Sequence, residues 1–160
     1  MAQDYIKVLK DLKVEFTVIG RGAVNAKECE KITNHKVIIG GLKNYLNNNQ
    51  SNFSHAIIAV GIENLYETSK LLLNENIDNI LIEKPGALFN DEFDELVNLS
   101  NKNKSNVYIA YNRRFLASVI KAKEIINEDC GVNSFNFEFT EWAHEIGPLK
   151  KAEKIKEKWF

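Results

Sequence analysis

Apolar residues follow two different spacings along this chain. From the start, Tyr5, Ile6, Val8, Leu9 and Leu12 recur three and four positions apart, which predicts a helix with one apolar face. Short apolar runs then predict strands over residues 15–20, 37–39, 56–60, 80–82 and 107–110. Runs such as Ile80-Leu81-Ile82 are continuous rather than alternating, as expected of strands covered on both faces in a parallel sheet. Helical stretches are predicted between them, near 23–33, 42–49, 63–76 and 90–103. Strands alternating with helices imply βαβ units with right-handed crossovers, hence an α/β fold with a doubly wound, mostly parallel sheet. The chain opens in a helix with no strand ahead of it.

The pattern changes after Phe115. Leu116, Val119, Ile120, Lys123, Ile125 and Ile126 predict a further helix. Phe135, Phe137 and Phe139 alternate with Asn136, Glu138 and Thr140, the period of a strand with one wet face, suited to an antiparallel sheet. The Lys- and Glu-rich stretch 149–158 reads as a solvated helix face, and the two final aromatics, Trp159 and Phe160, look cut from a core. We therefore expect residues 1–115 to form one domain and residues 116–160 the start of an α+β second one.

Composition narrows the classes. The 160 residues are 44% hydrophobic and 27% charged, ordinary for a soluble globular protein. A net charge of −1 gives no electrostatic footprint for nucleic acid. No apolar run approaches the ~18 residues a membrane span requires, and Met1 to Tyr5 shows no signal-peptide core. Cys29 and Cys130 stand alone, which favours reduced, buried thiols and a cytoplasmic setting over a disulfide. His35 and His144 read as surface or capping histidines, and His55 as the entrance of a strand.

Candidate chemistry concentrates where strand 80–82 ends. Glu83 and Lys84 put opposite charges there, and Pro85 and Gly86 stop the strand at once. Ligands of open α/β sheets bind outside the carboxyl ends of the strands, so this pair is well placed for chemistry. A plain strand-end ion pair is the other reading. Arg21 follows strand 15–20, where an arginine suits a 2′-phosphate and hence NADP; an exposed loop arginine is the alternative. Val60 and Gly61 follow the next strand but one, and the glycine either admits close approach of a cofactor or only makes a turn.

Glu83-Lys84-Pro85-Gly86, followed by Tyr111-Asn112-Arg113-Arg114-Phe115, resembles the glucose–fructose oxidoreductase / inositol dehydrogenase family. The likeness spans nearly the whole chain but only about half of the family's two-domain architecture. It implies an NAD(P)-dependent oxidoreductase of sugars or polyols with a Rossmann-like domain, and it is compatible with a homo-oligomer. Nucleotide-sugar or polysaccharide metabolism is its expected setting, with NADP slightly favoured over NAD. By the same resemblance Lys84 lies beside the nicotinamide and the reacting carbon, and Glu83 binds ribose or holds the lysine. Asn112 and Arg114 reach cofactor or substrate, or else link two domains.

The family's pattern is incomplete here. The G-x-G-x-x-G fingerprint is absent: Gly20-Arg21-Gly22 has Asn25 at the third glycine position. The resemblance aligns Met1 with the start of the helix after the phosphate loop, so the family's first strand finds no counterpart. Strand 15–20 should then border an empty lane facing strand 56–60. The family's downstream acid–base residues find no match either. A non-catalytic Rossmann-like subunit or interaction module is therefore the rival class.

Overall fold

The computed structural model describes residues 1–49, 52–136, 138 and 148. The chain divides into two compact units, Met1–Ala110 and Tyr111–Phe160. In the first, helices and strands alternate: α1 (Ala2–Asp11), β1 (Val18–Gly20), α2 (Ala23–Thr33), β2 (Val37–Ile39), α3 (Gly41–Asn48), β3 (His55–Ile58), α4 (Leu65–Asn74), β4 (Asn79–Ile82), α5 (Asn90–Asn103) and β5 (Asn106–Ile109). Every pairing is parallel. The strands form two sheets, β1–β2 and β3–β4–β5, and among the described residues nothing bridges β1 to β3. The α/β class read from the sequence is the one observed, with the expected gap between its halves.

Local chemistry sets the element ends. α2 stops at Asn34, whose left-handed conformation (φ 48°) lets its N–H bond the Glu30 carbonyl. α5 begins where Glu92 reaches back to accept the Phe89 amide at 3.2 Å, which satisfies one orphan donor. It ends at Lys104, also left-handed. A single 3-10 turn, Ile62–Asn64, leads into α4, so the expected helix 63–76 is shorter at both ends.

The core lies between β3–β5 and the helices α4 and α5. Leu65, Leu73, Ile80 and Ile82 are wholly buried there, with Ile58, Ile77 and Leu96 around them. α4 and α5 are also joined at their surface, where Lys70 Nζ lies 2.6 Å from a Glu95 carboxylate oxygen and the Tyr66 hydroxyl donates to the other. That carboxylate stays below its usual range because Lys70 and Tyr66 both bond it, and the same contacts raise the lysine and the tyrosine.

Several expectations change. β1 begins at Val18 rather than at residue 15, and Phe16 before it stacks on His35, ring centroids 4.2 Å apart. His35 is half-buried and serves as the aromatic partner of Phe16. The apolar face expected on α1 is mostly uncovered, with only Ile6 buried. The thiols are not buried: Cys29 is half-buried and Cys130 exposed, at a left-handed position just past the helix of the second unit.

In the second unit a 3-10 turn (Asn112–Phe115) leads into α6 (Ala117–Glu128). Most of the alternating stretch 135–140, His144 and the segment 149–160 lie outside the described residues. No described helix is long and apolar enough to cross a membrane.

Candidate functional site

Within each sheet the strands run in one direction, and the sequence-derived candidates follow the carboxyl ends of β1, β3 and β4. Arg21 follows β1, Val60 and Gly61 follow β3, and Glu83 and Lys84 follow β4. Arg21 ties two of these ends together, its guanidinium donating to Asn64 Oδ1 at 2.8 Å from beyond β1 to beyond β3. Val60 packs half-buried against the core, whereas Gly61 is exposed. A Cβ on Gly61 would meet the Glu63 carboxylate at 2.9 Å, so the glycine keeps the turn and that flexible carboxylate close.

The strand β4 ends in a turn closed by the Gly86 amide on the Glu83 carbonyl, 3.0 Å apart. The Lys84–Pro85 peptide bond inside it is cis. Gly86 has φ +97°, and a Cβ there would lie 2.6 Å from Ile109 Cδ1. Both the left-handed backbone and the closeness of β5 therefore require glycine. The turn holds Glu83 and Lys84 on a rigid element, since Ile80 and Ile82 just before it are fully buried.

Glu83 and Lys84 do not form the expected ion pair. The Glu83 side chain is 6% exposed and accepts a hydrogen bond from the Tyr5 hydroxyl of α1 at 2.7 Å. Its second oxygen accepts the Lys84 backbone amide at 3.3 Å. It therefore holds the lysine's backbone, not its ammonium. Burial first, and then the bond to the Glu83 carboxylate, push the Tyr5 hydroxyl up to about 12. Lys84 itself is exposed, and among the described residues no carboxylate pairs with its ammonium.

A dinucleotide fits only part of this edge. The Lys84 ammonium is exposed to a ligand's polar groups, whereas the Glu83 carboxylate is buried with both oxygens engaged. The phosphate half does not fit. Diphosphate normally rests on free N–H groups at a helix N-terminus. In the chain's first helix that turn carries Asp4, whose charge opposes an anion. Gly22 caps α2 in open space, with nothing within 4 Å of the point where a side-chain carbon would stand, so no close backbone approach explains it.

The first unit thus brings Arg21, Val60, Gly61, Glu83 and Lys84 to one edge, while Asn112 and Arg114 belong to the second. They lie in the 3-10 turn beyond β5, not at the strand's end. There Arg114 sits 5.5 Å over the Phe115 ring and lines a groove of about 360 Å³ with Ile120, Lys123 and Glu124. Sequence reasoning missed Tyr5 as a site residue. Its partner is 78 positions away, and nothing local marks a helix tyrosine as the donor to a distant carboxylate.

No protein-family model and no curated protein matches the chain. Solved structures do. The WlbA dehydrogenase from Chromobacterium violaceum, in complex with NADH and UDP-GlcNAcA, superimposes with a TM-score of 0.70 and 18% identity over 80% of this chain and 37% of its own. WlbA (WbpB) from Thermus thermophilus, in complex with NAD and UDP-GlcNAcA, gives 0.64 and 17% over 78% and 42%. The UDP-N-acetylglucosamine 3-dehydrogenase GnnA from Acidithiobacillus ferrooxidans gives 0.57 and 16% over 68% and 34%. The chain therefore spans less than half the length of each. At these identities the likeness is one of fold: a Rossmann-like α/β domain of the kind found in nucleotide-sugar dehydrogenases.

Proposed function

We propose that this chain is part of an NAD(P)-dependent oxidoreductase that acts by hydride transfer on a sugar or polyol, with a nucleotide-linked sugar as the substrate class. The observation that carries the reading is the exposed Lys84 ammonium at the carboxyl end of β4, unpaired because Glu83 is engaged by Tyr5. The cofactor, when bound, supplies the hydride acceptor. Lys84 Nζ would place positive charge beside the substrate hydroxyl and stabilise the negative charge on its oxygen as the proton passes to solvent water. Glu83, held by Tyr5, fixes the lysine's backbone. Val60 and Gly61 shape the opposite wall, and Asn112 and Arg114 add contacts to cofactor or substrate. Residues 1–115 form the nucleotide-binding part and residues 116–160 the beginning of a substrate or dimerisation domain.

Arg21 decides the cofactor in this reading. Its charge favours the 2′-phosphate of NADP, whereas the neighbours were crystallised with NAD or NADH. Arg21→Ala should erase a preference for NADP, and a preference for NAD in the unmutated protein would remove the role. A second reading, a non-catalytic subunit, draws on Asp4 standing where phosphate should rest.

The test is Lys84→Met, which keeps the aliphatic stem and removes the charge. With a nucleotide sugar and NAD(P), turnover should fall by about 10²-fold or more while cofactor affinity and melting temperature hold. Turnover that does not respond would leave Lys84 as surface decoration. NADH titrated into the 160-residue chain should shift the amide signals of Gly61, Glu83 and Lys84, with a Kd weaker than about 1 μM, the value that corresponds to roughly −8 kcal/mol.

A further inference from the structure

We propose that Asn64 sets cofactor choice through Arg21: its side-chain carbonyl aims the guanidinium, and the aimed guanidinium recognises the 2′ position of the cofactor. The inference rests on the cofactor reading of Arg21 given above. It makes Asn64 a positioning residue rather than a cofactor contact.

A helix cap goes unused to make this contact. Asn64 is the N-cap of α4, a position where an asparagine oxygen ordinarily accepts an amide of the first turn. Its side chain makes no such bond. Asn64 Oδ1 accepts Arg21 Nη1 at 2.8 Å instead, from a residue 43 positions away. The oxygen is held in place by its backbone, because the Asn64 N–H donates to the Gly61 carbonyl at 2.8 Å and the next residue, Leu65, is wholly buried. A residue suited to its own helix is thus engaged by a distant arginine.

Arg21 is confined at two points, although exposed long side chains ordinarily keep many rotamers. Its head is bonded to Asn64, and its stem runs past Gly41, the first residue of α3. A Cβ on Gly41 would stand 3.5 Å from Arg21 Cγ. The charge of the arginine is nevertheless left free. Glu63, the carboxylate beside Asn64, lies against Gly61, and among the described residues no carboxylate pairs with Arg21.

That combination defines what Asn64 contributes. An amide oxygen orients a guanidinium without neutralising it, whereas a carboxylate in the same place would hold it and cancel its charge. The remaining N–H groups of the fork stay available for paired bonds to a phosphate. A guanidinium already held in position loses less freedom when the phosphate arrives.

The experiment titrates the 160-residue chain with adenosine 2′,5′-bisphosphate and with adenosine 5′-monophosphate, followed by NMR. The bisphosphate should bind the parent about tenfold more tightly. Asn64→Ala should cut that ratio by about threefold, and should leave it unchanged in an Arg21→Ala background, because Asn64 acts only through the arginine. Asn64→Asp is the decisive variant. Aspartate caps a helix as well as asparagine does and also pairs with the arginine, so the melting temperature should not fall. The preference for the bisphosphate should nonetheless disappear. A ratio that survives Asn64→Asp overturns the proposal, as does an equal loss of both nucleotides in the Asn64 variants. A parent without the preference, unaltered by Arg21→Ala, overturns the cofactor reading of Arg21 as well. Where that reading holds, Arg21→Ala moves the ratio whatever Asn64 does, so the two failures are distinct.

Discussion

The β3–β4–β5 sheet and the β1–β2 sheet are built from similar residues and buried very differently. In the first, Ile58, Ile80 and Ile82 are at most 2% exposed. In the second, Val37 is buried but Ile38 and Ile39 are 38% and 48% exposed. Both are parallel, and both contain short runs of branched apolar residues. What differs is cover: α4 and α5 pack on the larger sheet and are clamped by Lys70 and Glu95. An apolar run therefore predicts a strand without predicting its burial.

The sharpest way to break this comparison is to empty the well-covered half. Ile80→Ala should cost about 2–5 kcal/mol in urea denaturation, the range for a large-to-small change at a fully buried site. A cost under about 1 kcal/mol would mean that the β3–β5 core is loosely packed. Gly86→Ala comes next, with an expected loss of about 1–3 kcal/mol from its left-handed backbone and the contact with Ile109. If the variant melts like the parent, the turn after β4 is not confined as described.

A smaller effect should follow pH. The Tyr5 hydroxyl titrates near 12 in the folded chain against 10.0 for a free tyrosine. Its raised value means that the folded state binds this proton more tightly than the unfolded state does. Its stabilisation is therefore complete below about pH 10 and is lost as pH rises through 12. Tyr66 is shifted in the same direction by Glu95, so the useful quantity is the difference between the parent and Tyr5→Phe. The parent should lose its advantage over Tyr5→Phe between pH 10 and 12. A difference that stays constant there would remove the Tyr5–Glu83 bond as its source. The smallest expected effect is Ile39→Ala, within about 0.5 kcal/mol of the parent because the side chain is half in water already.

Much of this was legible in the sequence because it depends on local pattern. The runs at 37–39 and 80–82, the helices 23–33 and 90–103, and the stop at Pro85-Gly86 are each fixed by neighbours a few residues away. The Glu83–Lys84 edge was legible for the same reason. What was not legible depends on long-range partners. Two adjacent opposite charges read naturally as a pair, yet Glu83 turns inward because Tyr5 offers it a donor in a buried place and Lys84 remains alone. Phe16 read as part of a strand, but it lies before β1 and stacks on His35. The strand expected over 107–110 is β5, one residue earlier, and nothing in the apolar pattern marked the 3-10 turn that follows it.

The way α1 is attached has a consequence for how it could come loose. It buries only Ile6, while Val8 and Leu12 are 53% and 67% exposed, and its hold on the rest of the unit comes from Tyr5 on Glu83 and Lys10 on Thr33. Detaching this helix would wet very little new apolar surface, so the opening would carry a small heat capacity change and a small denaturant slope. Warming or mild urea would barely bias it, whereas removing one proton from Tyr5 would act on it directly. The first helix is thus held largely by two polar contacts, with Ile6 its one buried side chain.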